Sequence, residues 1–122
     1  MSEKLTLSEI MQETVTLFNE NPAPISGVNL TCQFNITGKE EKSFQLQIQD
    51  GAAKVMEQSD IRADCLLIMS FENFRRFLIG KLNGTTAFMT GKLKIKGDIT
   101  KAIKLETILK QYNLNEVLQG SR

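Results

Sequence analysis

From Val28 to Thr37 the chain alternates: Val28, Leu30, Cys32, Phe34 and Ile36 are apolar, and Asn29, Thr31, Gln33, Asn35 and Thr37 are polar. Successive side chains of a strand point to opposite faces, so a period of two predicts a strand with one wet face. After the polar link from Gly38 to Lys42, Phe44, Leu46 and Ile48 alternate in the same way with Gln45, Gln47 and Gln49, which predicts a hairpin. Asp50-Gly51 suits a tight turn needing positive φ, and Ala52 to Met56 returns as a third strand. Cys65-Leu66-Leu67-Ile68-Met69 is a continuous apolar run, the mark of an interior strand covered on both faces or at a sheet centre. Finally, Lys92, Lys94 and Lys96 alternate with Leu93 and Ile95, placing the lysines on one face of a short last strand.

Elsewhere the apolar residues recur at helical spacing. Thr6-Leu7-Ser8-Glu9 has the form of a capping box, and Leu7, Ile10, Met11, Val15, Leu17 and Phe18 follow it in a helix to about Asn19. Asn21-Pro22-Ala23-Pro24 ends that helix, because proline lacks the N–H donor and pushes the preceding residue out of the helical region. Ser70 caps a second helix carrying Phe71, Phe74, Phe77 and Leu78, stopped by Gly80. Thr85 is positioned to cap a further turn holding Ala87, Phe88 and Met89. Asp98 caps a last helix from Ile99 to about Gln111.

In that last helix Ile99, Ala102, Ile103, Leu105, Ile108, Leu109 and Tyr112 occupy an arc of roughly 220°, about twice the stripe needed to pack on one neighbour. Part of this surface faces something other than the sheet: another element, a partner chain, or a cavity for an apolar ligand. Leu114, Val117 and Leu118 then form a short amphipathic tail. The order helix, three strands, strand, two helices, strand, helix predicts an α+β domain. Its helices are segregated to one face of a mainly antiparallel five-stranded sheet.

A length of 122 residues is one domain, 1–122, with one core. Net charge near +1 argues against a dedicated nucleic-acid binder. No apolar run is long enough to span a bilayer and Met1-Ser2-Glu3-Lys4 has no signal-peptide apolar region, so a soluble intracellular protein is expected. Without that route to glycosylation, the sequons at Asn29, Asn35 and Asn83 are incidental. Cys32 and Cys65 have no C-x-x-C spacing and read as small buried hydrophobes. The chain has no histidine, which removes the Ser-His-Asp and Cys-His sites and the commonest metal ligand. Its acidic residues fall at polar, turn-rich or helix-surface positions such as Glu40-Glu41, Asp50, Asp60 and Glu106, and read as solvated surface charge. A non-enzyme without metal or cofactor is expected.

The words Gly80-Lys81-Leu82-Asn83, Ala87-Phe88-Met89-Thr90-Gly91-Lys92-Leu93-Lys94-Ile95-Lys96-Gly97-Asp98 and Lys104-Leu105 closely resemble the signature of the sterol carrier protein 2 family. Ala63-Asp64-Cys65-Leu66-Leu67-Ile68-Met69-Ser70 resembles that family's A-D-x-x-I-x-(M/L)-(S/A) strand, and a looser likeness extends from Leu7. One departure lies inside the signature: the usual Pro-Gln after Asn83 is Gly84-Thr85 here.

The resemblance implies an apolar tunnel between the helical layer and the sheet that accommodates fatty acid, fatty acyl-CoA, phospholipid or sterol. It implies lipid binding and transfer without catalysis. The candidates to line the tunnel are Met69, Phe74, Phe77, Leu78, Phe88, Met89, Ile103, Leu105, Ile108 and Leu109, each of them also a candidate for dry core packing. Flexible methionines would let the wall adapt, and Ile108→Glu is expected to abolish uptake. Lys92, Lys94 and Lys96 either solvate an edge strand or dock transiently on an anionic membrane or acyl-CoA phosphate, with help from Lys81, Lys101 and Lys104. A monomer is expected. The alternative is an interaction or dimerisation module serving a lipid-metabolising enzyme, because family members also occur fused to thiolase-like or dehydrogenase enzymes. Peroxisomal members end in a Ser-Lys-Leu type signal, whereas this chain ends Gln119-Gly120-Ser121-Arg122, so a cytoplasmic location is expected.

Overall fold

A computed structural model describes residues 6–38, 41–57 and 61–115. Val117 and Leu118 of the expected tail lie outside them, whereas Leu114 is buried. The chain runs α1 (Leu7–Glu20), a 3-10 turn (Ala23–Ile25), β1 (Leu30–Thr37), β2 (Lys42–Gln49), β3 (Ala52–Met56), β4 (Cys65–Ser70), α2 (Phe71–Leu78), α3 (Gly84–Met89), β5 (Lys94–Gly97) and α4 (Ile99–Leu109). The strands form one sheet in the order β3-β2-β1-β4-β5. All neighbours are antiparallel except β1 and β4, which run parallel. This is the predicted α+β architecture with a mixed, mainly antiparallel sheet.

The period of two decides which face the helices cover. Cys32, Phe34, Leu46, Ile48, Leu67 and Met69 are buried on the helical side. On the other face the β1–β2 polar residues bond laterally: Ser43 Oγ donates to Asn35 Oδ1 at 2.8 Å, and Gln45 Nε2 donates to the Ile61 carbonyl at 2.8 Å. The Ile61 segment therefore lies over Gln45, which is buried although its side chain is polar. At the turn between β2 and β3, Asp50 and Gly51 both take positive φ, 55° and 74°. That is the conformation the Asp-Gly pair suits.

The caps follow local chemistry. Thr6 Oγ1 accepts from the Glu9 N–H while the Glu9 carboxylate accepts from the Thr6 N–H, closing the capping box of α1. Ser70 Oγ accepts from the Asn73 N–H at the start of α2. For α3 the cap is two residues earlier than expected: Asn83, not Thr85, accepts from the Thr86 N–H at 3.0 Å. Asn is as good an acceptor as Thr at this position, and it makes Gly84 the first helical residue.

Asp98 accepts from the N–H groups of Thr100 and Lys101 and from the Thr100 hydroxyl. The Thr100 hydroxyl, followed by the Lys101 and Thr100 amides, holds its carboxyl below the ordinary value. Just before it, Gly97 (φ +92°) passes so close to β4 that a Cβ would lie 2.7 Å from the Asp64 carbonyl oxygen. Gly97→Ala combines a positive-φ penalty with a backbone clash, so it is expected to cost about 1–3 kcal/mol by chemical denaturation.

Phe74 of α2 packs edge-on against Phe34 and Phe44, with ring centroids 5.4 and 5.8 Å away, and Phe34 and Phe44 stack at 5.2 Å. At the other end Phe18 of α1 stacks on Tyr112 at 4.5 Å, and the Tyr112 hydroxyl donates to the Asn21 carbonyl at 2.6 Å. The end where Phe18 meets Tyr112 is thus closed by side chains. The end bounded by α3, β5 and α4 is not.

Candidate functional site

A cleft of about 200 Å³ opens between α3, β5 and α4. Leu67 of β4 and Phe77 of α2 line it where it meets the core; Leu93 and Ile95 form a side. Gly84, Thr85 and Phe88 contribute the α3 wall, and Ile99, Ala102, Ile103 and Glu106 the α4 wall. It is open to solvent on one side, because Phe88, Ile99 and Ile103 are 44%, 45% and 52% exposed. Single exposed apolar residues are ordinary, but these three surround one opening and continue inward to buried Leu67 and Phe77.

The wide arc of α4 is divided at this point. Ala102, Leu105, Ile108 and Leu109 are buried in the core, while Ile99 and Ile103 turn toward the opening. Of the residues expected to line a tunnel, the structure brings Phe77, Phe88 and Ile103 together on the cleft wall. Met69, Phe74, Leu78, Leu105, Ile108 and Leu109 are at most 2% exposed, belong to the closed core and do not border the cleft. Met89 is 79% exposed beside Phe88, outside the lining.

Sequence reasoning missed Leu67, Leu93 and Ile95 as wall residues, although the inward period of β4 and β5 carries the signal. It also missed Glu106, which it placed with the solvated acidic residues. Among the described residues Glu106 is the one charged side chain in the lining, and its side chain is only 16% exposed. Its Oε2 accepts from the Gly84 N–H at 3.0 Å and lies 3.8 Å from Lys110 Nζ. A Cβ on residue 84 would lie 2.7 Å from Glu106 Oε1, and a proline there would have no N–H to donate. The departure of Gly84 from the family signature is therefore matched by the position of Glu106, and the pair ties α3 to α4 across the cleft.

On β5 the basic residues alternate with cleft-lining Ile95 and so stand on the face opposite the cleft. Lys94 and Lys96 are exposed on β5, Lys92 is exposed just before it, and Lys104 is exposed on α4. Lys101 donates from Nζ to the Asn29 carbonyl at 2.6 Å. Away from the cleft, Cys32 and Cys65 are buried opposite one another in the β1–β4 register with their Sγ atoms 2.9 Å apart. The contact with Cys65, together with burial, pushes the Cys32 thiol well above its ordinary value. Among the described residues no three histidine, cysteine, aspartate or glutamate side chains group as metal ligands would. No helix among them is long and apolar enough to cross a membrane.

A helical layer on a mixed sheet, with an apolar cleft opening at one end, defines an α+β domain with a solvent-accessible apolar site. The pattern of the SCP-2 sterol transfer family matches residues 12–110. The chain belongs to that family. Hydroxysteroid dehydrogenase-like protein 2 of Mus musculus is 43% identical over 83 residues, which are 66% of this chain and 17% of the mouse protein. The chain thus matches a small part of a much longer relative. Among solved structures, apo sterol carrier protein 2 of Yarrowia lipolytica aligns with a TM-score of 0.60 at 28% identity, covering 86% of this chain and 84% of that one. Sterol carrier protein domain 2 of Helicoverpa armigera aligns with a TM-score of 0.68 at 23% identity, covering 89% and 93%.

Proposed function

We propose that this domain carries a lipid without chemical conversion, holding its apolar part in the cleft between α3, β5 and α4. The observation that supports this most directly is the continuity of an exposed apolar rim, Phe88, Ile99 and Ile103, with the buried Leu67 and Phe77. Transfer of a hydrocarbon chain from water into such a cleft gains about 0.8 kcal/mol per buried methylene before ordering costs. A volume of about 200 Å³ is below the range of about 300–1,000 Å³ common for small-molecule pockets. A long chain therefore requires Phe88 and Ile103 to swing outward, which their exposure allows. The ligand classes are those the family suggests: fatty acid, fatty acyl-CoA, phospholipid or sterol. In this reading Lys92, Lys94 and Lys96 meet an anionic membrane surface as exposed Phe88 and Met89 approach it, and the carrier works as a monomer.

A second reading is favoured by the relation to a longer dehydrogenase-like protein. There the same apolar rim would be a docking or dimerisation face serving a lipid-metabolising enzyme. Native mass spectrometry of the purified protein, followed by extraction and identification of bound lipid, tests the choice. A monomer carrying stoichiometric lipid is expected. A lipid-free mass, with no uptake of a fluorescent fatty acid and a tight dimer in sedimentation, would reject the carrier in favour of the docking module.

A further inference from the structure

We infer that Glu106 sets the head-group selectivity of the cleft, disfavouring anionic lipids and favouring uncharged ones that present a hydroxyl. This rests on the carrier reading above and assigns a specificity-determining residue to it. Among the described residues Glu106 is the one charged side chain in a mostly apolar lining, where Thr85 is the other polar side chain. It is held in place from two sides, by the Gly84 N–H at 3.0 Å and by Lys110 Nζ at 3.8 Å. Its low exposure limits how far water screens it. Gly84 carries no Cβ to displace it, and a side chain on that residue would meet the carboxylate.

A carboxylate has about four lone-pair positions on its two oxygens, more than these two donors engage, so it can still accept from a hydroxyl. A ligand carboxylate or phosphate brought to the same wall adds like charge beside Glu106, whose side chain is only 16% exposed, so water screens the repulsion only in part. The lipid's apolar part then lies toward Leu67 and Phe77, and its polar group lies beside Glu106. Lys110 opposes the repulsion in part, which makes the sign of its removal predictable.

The test compares the dissociation constants of dodecanol and dodecanoate, which share a chain length, by displacement of a fluorescent probe. It uses the wild type, Glu106→Gln and Lys110→Gln, each checked for folding by thermal denaturation. Glutamine at 106 retains an oxygen for the Gly84 N–H, so the tie between α3 and α4 persists while the charge is gone. The preference for alcohol over acid is expected to fall by about fivefold or more in Glu106→Gln, a shift of one partly screened charge interaction, and to rise in Lys110→Gln. An unchanged ratio in both variants, with both lipids bound, would overturn the assignment and leave the carrier reading standing. Equal weakening of both lipids in Glu106→Gln would also overturn it, reducing Glu106 to a latch. Failure of all three proteins to bind either lipid would sink the carrier reading and this inference with it.

Discussion

Ile103→Glu is expected to leave the domain folded and to raise the dissociation constant for a fluorescent fatty acid by about tenfold or more. Two facts separate these effects. Ile103 is 52% exposed, so in the unliganded protein its replacement removes little packing, and surface changes of this kind usually stay within about 0.5 kcal/mol. Yet the residue borders the cleft beside Phe88 and Ile99, and a bound chain would cover it. A glutamate there must be desolvated against hydrocarbon or must hold the chain away, and each costs well over the 1.4 kcal/mol or so that a factor of ten represents. The measurement is probe titration together with the thermal midpoint. A folded variant with unchanged affinity would show that this cleft is not where lipid binds.

Phe74→Ala is expected to do the reverse, removing a large part of the stability while telling little about the ligand. Phe74 is completely buried and its ring edge meets both Phe34 and Phe44. Truncation leaves a cavity between α2 and the sheet, bounded by strands that cannot collapse into it. A loss of about 3–5 kcal/mol is expected from urea unfolding at unchanged slope. A domain holds about 5–15 kcal/mol in total, so this is a large share of it and the unfolding midpoint falls accordingly. A loss under about 1 kcal/mol would mean that the aromatic cluster is looser than its geometry indicates. Ile108 belongs with Phe74 in this respect. At 1% exposure in the core, a glutamate there would abolish uptake by unfolding the protein rather than by altering a wall.

Most of the fold was legible because its signals are local. The alternation in β1 and β2, the Asp-Gly turn, the capping box at Thr6 and the caps at Ser70 and Asp98 each depend on residues within a few positions of one another. The cap of α3 was misplaced by two residues, from Asn83 to Thr85, because the glycine between them obeys a distant constraint: it yields its N–H to Glu106. The parallel pairing of β1 with β4 was not readable either. It follows from the chain passing behind Gln45 through the Ile61 segment, and it brings Cys32 against Cys65 from positions with no sequence relation.

For the site, the sequence by itself determined that α4 carries more apolar surface than one neighbour can cover, and that the chain resembles a family of lipid-binding domains. Only the tertiary structure decided how that surface is divided: Leu105 and Ile108 to the core, Ile99 and Ile103 to the cleft. The reason is physical. Helical period reports that a side chain is apolar and which way it points from its own axis, whereas wall and core differ only in whether another element fills the space beyond. Around Phe74 that space is filled by Phe34 and Phe44; beside Ile103 the neighbouring α3 is tied to α4 through Gly84 and Glu106, and the space between them stays open.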